Sequence, residues 1–375
     1  MTYVPWWPTA SLSGDSANSG TVNPLDYGAK FDGVTNDTAA IQSAINEAKG
    51  RGHKGRALGK VVLPPGVALI TGLLLDRSVV IEGAGNHASF LKTVAGTTGA
   101  ALTIAVAHDG NNYVAEGDPQ AHVCLSNFTL MSSKSDVPGQ TNGHGLQIST
   151  ADVNQATTIV LLDRINIAGF PAHGIKSEGF AGTVQARDCL FHNNRLNGAD
   201  IAFTNDWWFT NCAFAVNGQD GVSLYGCSQM IFTTCNMYSS TRYNVNLFNT
   251  VATTGNACNN RFFGCSFDRA GQHGVNYDVR QNLDTEFHGC YWQLNSLLGY
   301  QNYYDFCVRD NVLGGCKIIG GWFRTPTDAV YNIGIATPTN QVVDLTSVAF
   351  AGGLNAATTC NAPQRLTVEN RAAVA

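Results

Sequence analysis

Three acidic residues, Glu178, Asp200 and Asp220, are spaced so that they could share one piece of chemistry. They belong to a phrase that recurs along the chain: Gly174-Ile-Lys-Ser-Glu178, Gly198-Ala-Asp-Ile-Ala202, Gly221-Val-Ser-Leu-Tyr225, Asn244-Val-Asn-Leu-Phe248 and Gly274-Val-Asn-Tyr-Asp278. Each phrase reads as a short strand opened by Gly or Asn, residues that tolerate a tight corner. If Val222 and Leu224 face a core, alternation turns Ser223 and Tyr225 outward. Applied to every phrase, this gives the outward rows Lys176, Asp200, Ser223, Asn246, Asn276 and Glu178, Ala202, Tyr225, Phe248, Asp278. A third row, at the corner before each strand, is His173, Asn197, Asp220, Tyr243, His273. Acids, amides and flat rings on one face suit a polyhydroxylated ligand.

Distances choose among the acids. With the phrases stacked as adjacent parallel strands, the Cα atoms of Glu178 and Asp200 lie about 8 Å apart, and those of Asp200 and Asp220 about 10–11 Å. Glu178 and Asp278, four strands apart, lie about 19 Å from each other and cannot act on one bond within a chain. Side-chain reach from about 8 Å suits a carboxylate pair working on a glycosidic bond, at roughly 5 Å for retention or 6.5–9.5 Å for inversion. Glu178, Asp200 and Asp220 are therefore the catalytic candidates. Lys176, Tyr225, Asn246, His273, Asp278 and Arg280 are the substrate-binding candidates. A lone outward acid is ordinarily solvated surface, so the weight falls on the cluster. A second group, Asp268, Arg269, His273, Asp278 and Arg280, offers the cation and base that elimination at a uronate would use. An ordinary Asp278–Arg280 surface pair is the plainer reading.

These phrases need a scaffold that repeats. Nine apolar stretches provide it, with middle residues Phe128, Ile165, Cys189, Cys212, Cys235, Cys265, Cys290, Gly321 and Val348. Spacings from 23 to 37 residues are too irregular for helical repeats of fixed length. Their Val, Ile, Phe, Thr and Asn content, with alternation, is strand chemistry. In five repeats the corner Gly or Asn follows the middle residue by nine positions, which keeps two rows of side chains in phase. The pattern predicts an all-β solenoid, a parallel β-helix over 61–350.

Composition narrows the field. Only 13% of residues are charged and the net charge is −5, which argues against a nucleic-acid partner. The 11 cysteines form an odd count spread along a strand ladder, so they read as small buried residues folded in a reducing cytoplasm. No CxxC pair has zinc spacing, and neither metal nor cofactor is expected. No apolar run is long enough for a membrane helix, and no signal peptide is expected. Residues 1–22, with Trp6 and Trp7, read as an extended leader. Residues 23–60 read as a cap, in which Ile41, Ala44, Ile45 and Ala48 share one face of a helix over 37–48 that covers the open end of the solenoid. Residues 351–375 read as a tail or terminal cap.

The run Asn23-Pro-Leu-Asp-Tyr-Gly-Ala-Lys-Phe-Asp-Gly-Val-Thr-Asn-Asp-Thr-Ala-Ala-Ile-Gln42, with Val61-Val-Leu-Pro-Pro-Gly66 and Ile81-Glu-Gly-Ala-Gly85, resembles the opening coils of the pectate-lyase-like superfamily. The resemblance implies right-handed coiling. Within that superfamily the chain is similar to bacteriophage tailspike depolymerases, which implies a homotrimer. On that reading it would sit in the virion tail, act at the host cell surface and endo-cleave a capsule, exopolysaccharide or O-antigen, with the leader meeting other tail proteins. Hydrolysis by a carboxylate pair is the expected reaction. A lyase acting on a uronate-containing glycan, or a glycan-binding β-helix without catalysis, are the alternatives. Gln219-Asp-Gly221 and Gln272-His-Gly274 resemble polygalacturonase motifs, but no paired Asp-Asp and no Arg-Ile-Lys accompany them, so no role is carried over.

Overall fold

The computed structural model describes residues 20–51, 59–105, 121–132, 143–149, 158–179, 182–249, 259–279, 285–295, 297–298, 304–309, 315–324, 333–335, 342–351 and 366–369. Its strands form three long parallel sheets of 13, 12 and 10 strands. A full coil gives one strand to each sheet, as in Thr183–Arg187, Leu190–His192 and Ala199–Ala202. The next coil repeats this with Trp207–Thr210, Ala213–Ala215 and Val222–Tyr225. The chain is a right-handed parallel β-helix, the hand that parallel crossovers favour.

The repeated apolar stretch is not one strand, as its alternation suggests, but two strands joined at a bend. Ala186 lies in the 13-strand sheet and Phe191 in the 12-strand sheet, with Cys189 at the bend between them. The residue just before each middle position is left-handed: Asn127, Arg164, Asp188, Asn211, Thr234, Gly264, Gly289, Gly320 and Ser347 all have φ of 51–63°. Asn, Asp and Gly, which occupy six of these nine positions, carry the smallest penalty there.

Inside the bend, the five ladder cysteines are buried. Their thiols donate to carbonyls of the preceding coil, Cys189 to Leu162 O (3.5 Å), Cys212 to Ala186 O (3.5 Å) and Cys235 to Phe209 O (3.3 Å). Burial raises the thiol pKa of Cys189, Cys212, Cys235 and Cys265, which suits packing rather than reactivity. Beside them Phe209, Phe232, Phe262 and Phe287 stack nearly parallel, with centroids 4.7–4.9 Å apart.

The cap is the helix Thr38–Arg51, which packs on the first strands and fully buries Ile41, Ala44, Ile45 and Ala48. Asn36 Oδ1 accepts from the Thr38 N–H (3.1 Å) at its start. Asp37 instead turns back, accepting from the Lys30 and Phe31 N–H groups and pinning the preceding loop. Thr21–Val22, placed in the leader by sequence, already pairs with Lys60–Val61 in the first coil. Leu366–Glu369 pairs with Val343–Thr346, so this part of the tail adds a strand. Residues 1–19 with both leader tryptophans lie outside the described residues. No helix among the described residues is long and apolar enough to cross a membrane.

Candidate functional site

The Gly- or Asn-opened phrases are consecutive strands of the 10-strand sheet, in the register the spacing implies. Lys176 pairs with Asp200, Asp200 with Ser223, Ser223 with Asn246 and Asn246 with Asn276. Ala202, Tyr225, Phe248 and Asp278 form the neighbouring row. Exposure along these rows is uneven, and there the structure departs from the sequence reading. Lys176 and Asp200 are reachable, with side chains 23% and 20% exposed. Ser223, Asn246 and Asn276 face away from the core yet are buried.

The corner row explains this closure. Asn197, Asp220, Tyr243 and His273 are buried, and His173 is nearly so. Four of the five hand an acceptor to the backbone of the next coil: His173 Nδ1 to Asn197 N (3.2 Å), Asn197 Oδ1 to Asp220 N (3.0 Å), Asp220 Oδ1 to Tyr243 N (3.3 Å) and His273 Nδ1 to Tyr304 N (3.0 Å). Rings stack along the same line, His144 on His173, then Tyr243 on His273 and His273 on Tyr304. The row is thus a structural seam closing the end of the sheet, not the outward face expected of it.

Asp220 is the plainest correction. Its carboxylate is fully enclosed and held by Arg242, with Nε at 2.7 Å and a second contact through Nη2. Asn246 Nδ2 donates to Oδ2 (3.2 Å), the oxygen that Arg242 Nη2 also meets. Burial pushes its pKa up, against the pull of Arg242. A group so enclosed cannot touch a glycan, so Asp220 positions its neighbours. His273 is corrected on the same ground: burial, with Arg309 nearby, drops its pKa to about 3, and its Nδ1 is committed to the backbone. Asn246 is buried as well, bonded to Asp220 and Asn276.

Asp200 remains accessible and well ordered by its partners. Lys176 Nζ lies 2.5 Å from Oδ2 and Asn197 Nδ2 3.1 Å from Oδ1. Burial opposes its ionisation, but His173, Lys176 and Asn197 outweigh that and hold the carboxyl below its ordinary range. His173 Nε2 lies 3.7 Å away. Burial lowers the His173 pKa to about 4, so the ring is neutral at pH 7. Because Nδ1 accepts the Asn197 N–H, the ring proton sits on Nε2, facing Asp200. His173 thus turns its N–H edge toward Asp200 at a separation longer than a hydrogen bond.

Glu178 ends the strand Ile175–Glu178, two residues beyond Lys176. Its backbone pairs with Ser149. Pairing toward the next coil stops at Lys176–Asp200, and the Ser177 hydroxyl takes over, accepting from Ala202 N (2.8 Å). Glu178 thus stands where two strands part, at least about 8 Å from Asp200 between Cα atoms.

A polar network leads from Asp200 through Asn197, Asp220, Asn246 and Asn276 to Arg309. Arg309 also donates to Tyr243 Oη (2.9 Å). The composition of the phrases did not point to Arg309, because it follows a strand opened by Asp305 rather than by Gly or Asn. Tyr225 and Asp278 are half-buried at the far end of the sheet. In the Asp268–Arg280 group, Asp268 belongs to the 12-strand sheet and Asp278 to the 10-strand sheet, while Arg280 lies outside the described residues. Glu286 heads a separate cluster with Arg261, His288 and Lys317 on the 13-strand sheet. Among the described residues, no group of three or more His, Cys, Asp or Glu is placed to hold a metal ion.

A right-handed β-helix with an accessible Asp–Lys pair on one sheet defines the class of the molecule. The chain belongs to the rhamnogalacturonase A/epimerase, pectate lyase-like family, whose model matches residues 21–246. It is 27% identical over 210 residues to mannuronan C5-epimerase AlgE5 of Azotobacter vinelandii, a stretch covering 54% of this chain and 20% of that one. It is 28% identical over 217 residues to alginate lyase 7 of the same organism, covering 56% and 24%. The chain thus spans a quarter or less of the length of these relatives. Solved structures of like fold include the Azotobacter vinelandii AlgE4 A-module, with TM-score 0.69, 16% identity and coverage of 93% of this chain and 97% of that one. Tailspike protein 2 of an Escherichia coli O157:H7 bacteriophage matches with TM-score 0.67 and 16% identity, covering 88% and 46%.

Proposed function

We propose that the chain is a polysaccharide-cleaving β-helix enzyme of the phage tailspike type. It works as a homotrimer in the virion tail and cuts a bacterial surface polysaccharide. The observation that carries this reading is Asp200: an ionised carboxylate, oriented by Lys176 and Asn197, accessible on the sheet face that faces away from the core. Likeness to tailspikes and to polysaccharide-modifying relatives supports it.

In the hydrolytic form, Glu178 gives its proton to the glycosidic oxygen as the sugar C–O bond breaks. Asp200 takes a proton from the attacking water, whose oxygen forms the new bond. His173 and Lys176 hold Asp200 in place, and Asp220 with Arg242 holds the seam that carries Asn197. A second reading is favoured by the Lys176 ammonium and by the match to an alginate lyase. In that form Lys176 would neutralise a uronate carboxylate while a base removes the C5 proton, the C4–C5 double bond forms, and the C4–O glycosidic bond breaks with its electron pair going to the leaving oxygen, which takes up a proton.

Incubation with capsule and lipopolysaccharide of candidate hosts tests both. Hydrolysis releases reducing ends alone, and elimination also creates an unsaturated uronate absorbing in the near ultraviolet. Binding to the true receptor with neither product would leave a non-catalytic adhesin.

A further inference from the structure

Beyond Asp200 the strand Ala199–Ala202 ends, and the next residue, Phe203, is left-handed with φ of 52°. This conformation is unfavourable for a bulky side chain, and such strain collects at functional positions. Phe203 is also 43% exposed, although most aromatic rings among the described residues lie in the core. Its N–H donates to Tyr225 O (2.9 Å), which fixes the turn. The ring meets Tyr225 edge-on at 4.7 Å, and Tyr225 stacks on Phe248 at 4.8 Å. Gly226 lies beneath: a Cβ there would come within 3.2 Å of the Phe203 ring. The row continues on the next coil with the carboxylate of Asp278.

We propose that Phe203, braced by Tyr225 and Phe248 stacked behind it, forms an aromatic ledge that takes a pyranose unit of a glycan, with Asp278 one coil beyond Phe248 in the same row. The ledge follows Asp200 along the same strand exit, so a sugar unit against Phe203 adjoins the carboxylate. Flat apolar rings beside a carboxylate match a sugar, which has a C–H face and hydroxyl edges. They do not match a nucleic acid, whose phosphates the carboxylates of Asp200 and Asp278 and the net charge of −5 would repel. This deepens the functional reading above and rests on it: the ledge would hold the chain that Asp200 acts on, and so set affinity and product length.

The test is a panel of purified capsular polysaccharides and lipopolysaccharides from bacterial hosts, with polymannuronate added, applied to the full chain. On the glycan it binds, Phe203→Ala is expected to raise Kd and KM about 10-fold or more, with kcat little changed and a shifted distribution of product lengths, and Phe248→Ala, which removes the ring stacked on Tyr225, to weaken binding together with a fall in Tm. Phe203→Trp should restore binding. Phe203→Leu, which keeps an apolar side chain without a flat face, should bind as poorly as the alanine variant; it decides the matter if that variant proves unstable. Unchanged Kd in the Ala variants, or full binding by Phe203→Leu, would overturn the ledge while Asp200→Asn still reports on the cleavage site. Absence of binding to every glycan by the unaltered chain would remove the functional reading itself.

Discussion

Asp200 and Asp220 stand on adjacent coils and look alike in sequence, yet their surroundings give them different work. Asp200→Asn should lower turnover at least about 100-fold while leaving Tm nearly unchanged, since its side chain is accessible and its Lys176 partner keeps access to solvent. Asp220→Ala leaves Arg242 solvent access but strips the Tyr243 N–H and the Asn246 amide of their buried acceptor, at a cost of about 1–3 kcal/mol for each donor left unsatisfied. Its signature should be a fall in Tm by thermal denaturation, and Arg242→Ala should lower Tm at least as much, because it leaves the fully buried Asp220 carboxylate without its cation. Glu178→Gln should resemble Asp200→Asn in activity assays; full activity in both would move the site elsewhere. Alternation and spacing were enough to pick out Asp200 and its Lys176 neighbour, because both follow from strand parity. They could not separate Asp220 from Asp200. Burial at the corner comes from rings and amides of neighbouring coils closing over one another, and no single coil's sequence encodes that.

At the level of elements, the corner seam makes stability depend on pH. His173 and His273 are held neutral in the fold, with pKa values of about 4 and about 3, against 6.5 unfolded. The unfolded chain therefore takes up protons that the folded one refuses, so stability is full above about pH 6.5 and declines as pH falls toward 4. Chemical denaturation from pH 7 to 4.5 should show this loss, and His273→Gln, which removes that titration, should show less of it. Asp305 acts in the opposite sense. It is buried, Asn295 Nδ2 donates to its Oδ1 (2.7 Å), and burial lifts its pKa to about 7 from 3.8. The folded chain keeps this proton and the unfolded one sheds it, so its contribution is present below about pH 3.8 and is lost as pH rises to 7. Asp305→Asn should therefore raise Tm at pH 8 and change it little at pH 4. Elements were only partly legible beforehand. The Cys ladder and the corner Gly marked two positions per coil, but the third sheet stayed hidden. Its sign is the left-handed residue before each ladder position, which is Asn, Asp or Gly at six coils and Arg, Thr or Ser at the other three.

On the scale of the molecule, the stack turns a short motif into a surface several coils long, which is what a polymer substrate needs. Repetition made this architecture readable from spacing alone, since a fixed offset between two rows leaves few ways to stack them. The cap helix was equally plain, because Ile41, Ala44, Ile45 and Ala48 fall on one face. The proposed homotrimer belongs to this scale too: light scattering on the full chain should give three copies per particle. The most direct test of the central claim is the structure of the Asp200→Asn protein bound to an oligosaccharide of its receptor glycan. The sugar is expected on the face of the 10-strand sheet that turns away from the core, with a glycosidic bond between residues 178 and 200 and a further unit against Phe203. An oligosaccharide seated instead on the 12- or 13-strand sheet, such as over Glu286 and Arg261, would contradict it.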